Sequence, residues 1–266
     1  MKILLSINYK FFKVKPKKFI ELVKKFDKDN LINGFEIATA SEEDENYVKE
    51  LAEISQREGY IINLHSPLLQ GEEYKKYLEF VIEISNITKR KVNIVFHPIN
   101  AENLEKSEKM TYQYIKELNK YILEKNYNDY LELSLENLND INGIKRLKKE
   151  NLITILKEEK NLKFTYDIGH EIIDGVQPKE LPSILLKRIN NIHVHTYNGI
   201  LDHYPIESFE ENDTKHIQEI LEKLVNYGYD ENIVMEYAID YIDGNSFEEK
   251  LENYIKYAEL LKARVL

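Results

Sequence analysis

Leu131-Glu132-Leu133-Ser134-Leu135-Glu136 decides how this chain folds. Apolar and polar residues alternate over six positions, the two-residue period of a strand whose faces meet different surroundings. Leu131, Leu133 and Leu135 share one face, suited to a covering layer of helices, and Glu132, Ser134 and Glu136 share the other. The last residue of the polar face is an acid.

Working outward, seven further short runs have strand character: Ile3–Ile7, Gly34–Ala38, Tyr60–His65, Val92–His97, Leu162–Asp167, Ile189–His195 and Asn232–Tyr237. Successive runs end about 30 to 40 residues apart, room for one strand and one crossover helix. The intervening segments carry helical patterns. Pro16–Phe26 places Phe19, Ile20, Leu22, Val23 and Phe26 on one stripe behind a first-turn proline. Glu43–Glu58, Tyr74–Thr88, Asn103–Glu124, Pro178–Leu186, Asp213–Tyr227 and Ser246–Leu261 read likewise, and Ser246 with Glu249 fits a capping box. Asn142–Glu159 has the least regular pattern. Eight such units without a linker predict an α/β fold, a single (β/α)8 barrel over residues 1–266. A doubly wound open sheet would expect about five or six strands and a glycine-rich phosphate loop. The chain has 9 glycines and no G-x-G-x-x-G.

Composition narrows the function. The 266 residues are 42% apolar, enough for a large core, and the net charge is −10, which disfavours a polyanionic partner. There is no cysteine, so a bound metal must rest on His, Asp and Glu. No window of 18 uninterrupted apolar residues occurs, so no membrane span is expected. Met1–Ile7 leads into a lysine-rich stretch instead of a cleavage site, so no signal peptide is expected and the location is read as cytoplasmic.

Extending the alternation to the other strands turns one ionisable residue inward at the end of six of them: His65, His97, Glu136, Asp167, His193 and Glu236. The carboxyl ends of barrel strands carry the chemistry of such folds. Three carboxylates in one mouth repel one another and lose hydration, several kcal/mol unless a positive charge sits among them. A divalent cation supplies it, with imidazoles as co-ligands. A lone histidine at a strand end is more often a hydrogen-bonded structural residue. Six such positions on these strands favour a site, and only His216, inside a helix, reads as an ordinary surface histidine.

The ordered set Asn63-Leu64-His65-Ser66-Pro67, Val95-Phe96-His97-Pro98, Leu135-Glu136-Asn137, Tyr166-Asp167-Ile168-Gly169-His170, His193-Val194-His195, Asp202-His203-Tyr204-Pro205 and Met235-Glu236 resembles the xylose isomerase-like barrel superfamily. That superfamily includes sugar isomerases, sugar epimerases and endonuclease IV. The resemblance implies one metal held by Glu136, Asp167, His193 and Glu236. By likeness to endonuclease IV it implies a second, bridged by Glu136 and held by His65 and His97. A third metal of that enzyme would use His170 and an Asp-x-His pair, but here the aspartate position holds Leu201, and Glu207-Ser208-Phe209 replaces a glycine-rich segment. In the epimerase-like pattern His170 contacts substrate. His195 is open between structural and substrate-contact roles, and Glu36 between a substrate contact and a buried salt bridge.

Two activities follow as expectations. The first is an isomerase or epimerase acting on a sugar or sugar-like substrate, with one or two Mn, Zn or Co ions. Glu136 and Glu236 move the proton, and His170, His195 and His203 line the substrate site. The second is an endonuclease IV-like zinc phosphodiesterase acting on abasic DNA, favoured by His65 and His97 and opposed by the acidic balance and the absence of an arginine-rich, aromatic DNA-reading loop. Asn8, Tyr9, Tyr197 and Tyr237 are expected at the mouth as specificity residues, and a homo-oligomer is compatible with the resemblance.

Overall fold

The alternating stretches close on one another. In the computed structural model, which describes residues 1–39, 42–67, 73–140, 145–175, 181–200, 202–206 and 211–265, the strands are β1 (Lys2–Ile7), β2 (Ile32–Ala38), β3 (Ile61–His65), β4 (Val92–Phe96), β5 (Leu131–Glu136), β6 (Lys163–Asp167), β7 (Ile189–Val194) and β8 (Asn232–Met235). Each pairs in parallel with the next and β8 pairs with β1, a closed barrel. Around it run α1 (Pro16–Phe26), α2 (Glu42–Glu58), α3 (Glu73–Thr88), α4 (Leu104–Lys125), α5 (Lys149–Glu158), α6 (Ile168–Ile173), α7 (Ser183–Leu186), α8 (Glu211–Asn226) and α9 (Phe247–Val265). Among the described residues no helix is long and apolar enough to cross a membrane.

Local chemistry sets the helix ends. Pro16 opens α1, whose Phe19, Ile20, Leu22 and Val23 are buried. Asn103 caps α4 by accepting from the Lys106 amide at 2.9 Å, and Asn126 ends it in the left-handed conformation at φ 57°. At α9 the Ser246 hydroxyl accepts from the Glu249 amide, while the Glu249 carboxylate reaches back to the Asn245 amide at 2.7 Å, one residue before the expected partner.

The core lies between the strands and the helices. Leu131, Leu133 and Leu135 join Phe35, Ile37, Phe96, Phe164, Tyr166, Ile192, Val194 and Met235 in it. Inside the barrel the floor is polar: Ser134 hydrogen-bonds Thr165 at 2.7 Å and Asn190 at 2.8 Å, and Asn190 donates to Asn93 at 2.9 Å and to Glu132 at 2.8 Å. A bulge makes this arrangement. Phe164 pairs with Ile189 but Thr165 pairs with Asn191, so Asn190 is an extra residue, and both asparagines point inward.

Two segments differ from expectation. The helix expected over Pro178–Leu186 is the four-residue α7, with 178–180 outside the described residues. The expected pattern also lacked α6, which follows β6 with no intervening loop because the Asp167 side chain accepts from the His170 amide at 2.7 Å and so ends the strand and caps the helix together.

Candidate metal centre

At the carboxyl ends of the strands, Glu136 (β5), Asp167 (β6), His193 (β7) and Glu236 (after β8) each offer an atom within 4.8 Å of the others'. His193 is fully buried, and its Nδ1 lies 3.0 Å from Glu236 Oε2, 3.4 Å from Glu136 Oε1 and 3.6 Å from Asp167 Oδ2. Both Glu136 oxygens, His193 Nδ1 and Glu236 Oε2 are buried without a hydrogen-bond partner among the described residues. Buried polar atoms are normally paired, so this donor set fits a divalent cation that oxygen and imidazole ligands would hold.

Glu136 faces two ways. Its Oε2 lies 3.1 Å from His97 Nε2 and 3.4 Å from His65 Nε2, and those two nitrogens are 2.9 Å apart. His65, His97 and Glu136 therefore form a second group of ligand type that shares Glu136 with the first.

Asn137 ties the rim together. It accepts from the Asp167 amide and donates to the Asp167 carbonyl, both at 2.9 Å, while its own carbonyl lies 2.8 Å from His170 Nδ1. His195 is fully buried with Nε2 3.1 Å from Asp167 Oδ2, and its ring stacks on His203 with centroids 4.5 Å apart. Gly169 permits this packing, since a methyl group built there would overlap the His195 imidazole. His203 has a left-handed backbone, φ 60°, and its Nδ1 meets Asp202 at 2.9 Å. His170, His195 and His203 thus border the ligand groups, and Asp202 engages the His203 ring. Leu201, the Glu207-Ser208-Phe209 stretch and the His216 side chain lie outside the described residues.

The electrostatics follow from burial and neighbours. Glu136 and Glu236 are held well below the usual carboxylate range: burial pushes both up, but His193 outweighs it, with His97 for Glu136 and His203 for Glu236. Burial lowers His193 too, yet Glu236, Glu36 and Glu136 raise it well above an ordinary histidine. Burial dominates at His170 and lowers it. Asp202 falls to about 2, chiefly through its bond with His203.

Sequence reasoning misplaced one residue and left others without a role. Tyr237 does not reach the mouth: it is 2% exposed, in the helix-side core, stacked on Tyr254. It follows inward-facing Glu236, so alternation sends it outward. Asn8 is engaged locally, accepting from the Lys10 amide at 3.0 Å. Asn137 and Gly169 carry no signal in the sequence beyond the motifs that contain them. Asn191, which donates to Glu36 at 2.7 Å, carried no signal, because its partner lies across the barrel.

The chain is a closed (β/α)8 barrel whose strand ends gather buried carboxylates and imidazoles that could hold a metal ion. The chain belongs to the xylose isomerase-like TIM barrel family, matched over residues 11–263. Solved structures similar in fold include D-psicose 3-epimerase from Clostridium cellulolyticum H10, with a TM-score of 0.69, 14% identity and coverage of 100% of this chain and 99% of that one. The 3-keto-D-glucoside 4-epimerase of E. coli gives 0.66 at 15% identity, covering 99% of each chain. A probable 3-DHS dehydratase from Bacillus anthracis gives 0.63 at 15% identity, covering 98% of this chain and 99% of that one. An uncharacterised protein of Methanocaldococcus jannaschii is 31% identical over 139 residues, 50% of this chain and 43% of that protein, so the chain spans under half of that relative's length.

Proposed function

We propose that the whole chain, residues 1–266, is one barrel domain acting as a divalent-metal-dependent isomerase or epimerase on a small sugar or sugar-like keto substrate, in the cytoplasm. The observation that carries this reading is the set of buried, unpartnered ligand atoms on Glu136, His193 and Glu236, gathered with Asp167. Those four residues would hold the ion. When bound, a divalent ion supplies Lewis-acid polarisation of a carbonyl oxygen, which acidifies the adjacent C–H.

The chain's own groups supply the rest. Glu136 Oε1 and Glu236 Oε2 lie 3.4 and 3.0 Å from His193 Nδ1. One takes the proton from the carbon beside the carbonyl and the other returns a proton to the opposite face, the arrangement an epimerisation needs. His170, His195 and His203 border this space and orient substrate hydroxyls. The sugar epimerases among the structures of similar fold are consistent with the substrate class.

A specific observation favours a second reading. The His65, His97 and Glu136 group is superfluous to a one-metal epimerase, and with it the site suits a zinc phosphodiesterase of the endonuclease IV kind. One experiment separates the two. Chain loaded with Mn, Co or Zn is incubated in D2O with a panel of ketohexoses and keto-glycosides, and, in parallel, with a duplex carrying one abasic site. Deuterium appearing at the carbon next to the carbonyl is the expected result. Incision of the duplex with no exchange in any sugar would replace the epimerase reading with the second.

A further inference from the structure

One carboxylate in the mouth points at the backs of two ligand-type imidazoles. Glu36 on β2 is fully buried. Its Oε2 accepts from Asn191 Nδ2 at 2.7 Å. Its Oε1 is buried without a hydrogen-bond partner among the described residues and lies 2.8 Å from His193 Nε2 and 3.5 Å from His65 Nδ1, the latter also 3.5 Å from Glu236 Oε1. The opposite nitrogens look the other way: His193 Nδ1 toward Glu136, Asp167 and Glu236, and His65 Nε2 toward Glu136 and His97.

A neutral imidazole has one N–H and one lone pair. To ligate, it must turn the lone pair to the ion, and the N–H then needs an acceptor behind it. Glu36 is placed to be that acceptor for both rings. Because it meets Nε2 of one and Nδ1 of the other, the two rings must carry their protons on different nitrogens. Glu36, His65 and His193 also lie close enough to be weighed as a cation site themselves. The Asn191 amide argues against that: its Nδ2, already donating to Glu36, sits 3.1 Å from His193 Nε2, so a cation there would face amide hydrogens. Two donors side by side on one carboxylate is the chemistry this corner suits.

We infer that Glu36 is a shared positioning residue that fixes His193 and His65 in opposite tautomers, Nε2-protonated and Nδ1-protonated respectively, so that both turn a lone pair into the mouth. The inference rests on the metal-binding reading above. It adds that the ligand imidazoles on β7 and β3 share one carboxylate on β2, so one substitution disturbs both.

The test uses the full chain with zinc alone. Long-range 1H–15N spectra of the zinc-loaded wild type assign the ring nitrogens, and competition with a chromophoric chelator gives zinc affinity for wild type and Glu36→Gln. The expected spectrum has His193 zinc-bound through Nδ1 with a proton on Nε2, and His65 with its proton on Nδ1. Glu36→Gln is expected to bind zinc about 10- to 100-fold more weakly, the usual range for outer-shell partners, with the His65 tautomer no longer fixed. His193 bound through Nε2, or a His65 proton on Nε2, overturns the inference on the wild type alone, whether or not the variant folds. A folded Glu36→Gln whose affinity lies within twofold of wild type, with both tautomers unchanged, overturns it as well. A wild type that binds no zinc overturns the metal reading itself, a separate outcome.

Discussion

Glu136→Gln removes one charge and almost no volume from the centre of the site. Glu136 is fully buried, and each of its oxygens faces a different ligand group. Partners outside the ligand shell change metal affinity by about 10- to 100-fold, so a residue placed as a ligand to both groups sets a loss of at least about 100-fold. That loss converts to stability by mass action. At a free metal concentration of about 100 times its Kd, a site stabilises the native state by about 2.7 kcal/mol. For a chain near this size each kcal/mol moves Tm by about 2–4 °C, so the wild type rises by roughly 5–10 °C. With Kd raised about 100-fold, the same concentration gives only about 0.4 kcal/mol and a rise near 1 °C. The assay is calorimetry of chelator-stripped protein with and without added zinc or manganese, with circular dichroism to establish that the variant is folded. A folded Glu136→Gln protein that keeps the full metal-dependent rise would refute the site assignment. So would one that keeps full turnover.

Other expectations are independent of the reaction. Gly169→Ala forces a methyl against the His195 ring, and overpacking of this kind costs about 1–3 kcal/mol; an unchanged urea midpoint would show that the ring has room to move. Asn137→Ala strips the Asp167 backbone of both partners, a loss of about 1–3 kcal/mol for each group left unsatisfied, read from the same midpoint. Lys149 and Glu171 form a buried pair at 2.6 Å, with the Tyr166 hydroxyl donating to Glu171 at 2.5 Å. Lys149→Met should destabilise by about 3–5 kcal/mol, and adding Glu171→Leu should recover most of it; equal midpoints for Lys149→Met and the wild type would remove the pair from the account of stability.

The barrel was legible because its strands speak in local sequence. Leu131–Glu136 alternates without exception and is β5 with the same bounds, and Pro16–Phe26 is α1 with the same bounds. Convergence of His65, His97, Glu136, Asp167, His193 and Glu236 followed from strand direction, since inward residues at the same end of a closed barrel must approach one another, while the choice of four of them as one ligand set rested on the resemblance. What stayed hidden depends on partners far along the chain or on one residue serving twice. Asp167 ends β6 and caps α6 together, so α6 left no separate start signal. Asn191 meets Glu36 across 155 residues of sequence. Tyr237 is expected among the mouth residues, yet the strand period sends it to the helices, where it is buried.

The extra residue in β7 has a consequence for how this scaffold tolerates change. By admitting both Asn190 and Asn191 to the interior, it gives one strand two separate tasks. Asn190 laces the closed end through Asn93, Glu132 and Ser134, while Asn191 serves the open end through Glu36. Two neighbouring amides thus mark the border between a fastening below and a workplace above. Mutations that retune the workplace leave the fastening's bonds intact, which makes the rim of this barrel the place where new specificities are cheapest to explore.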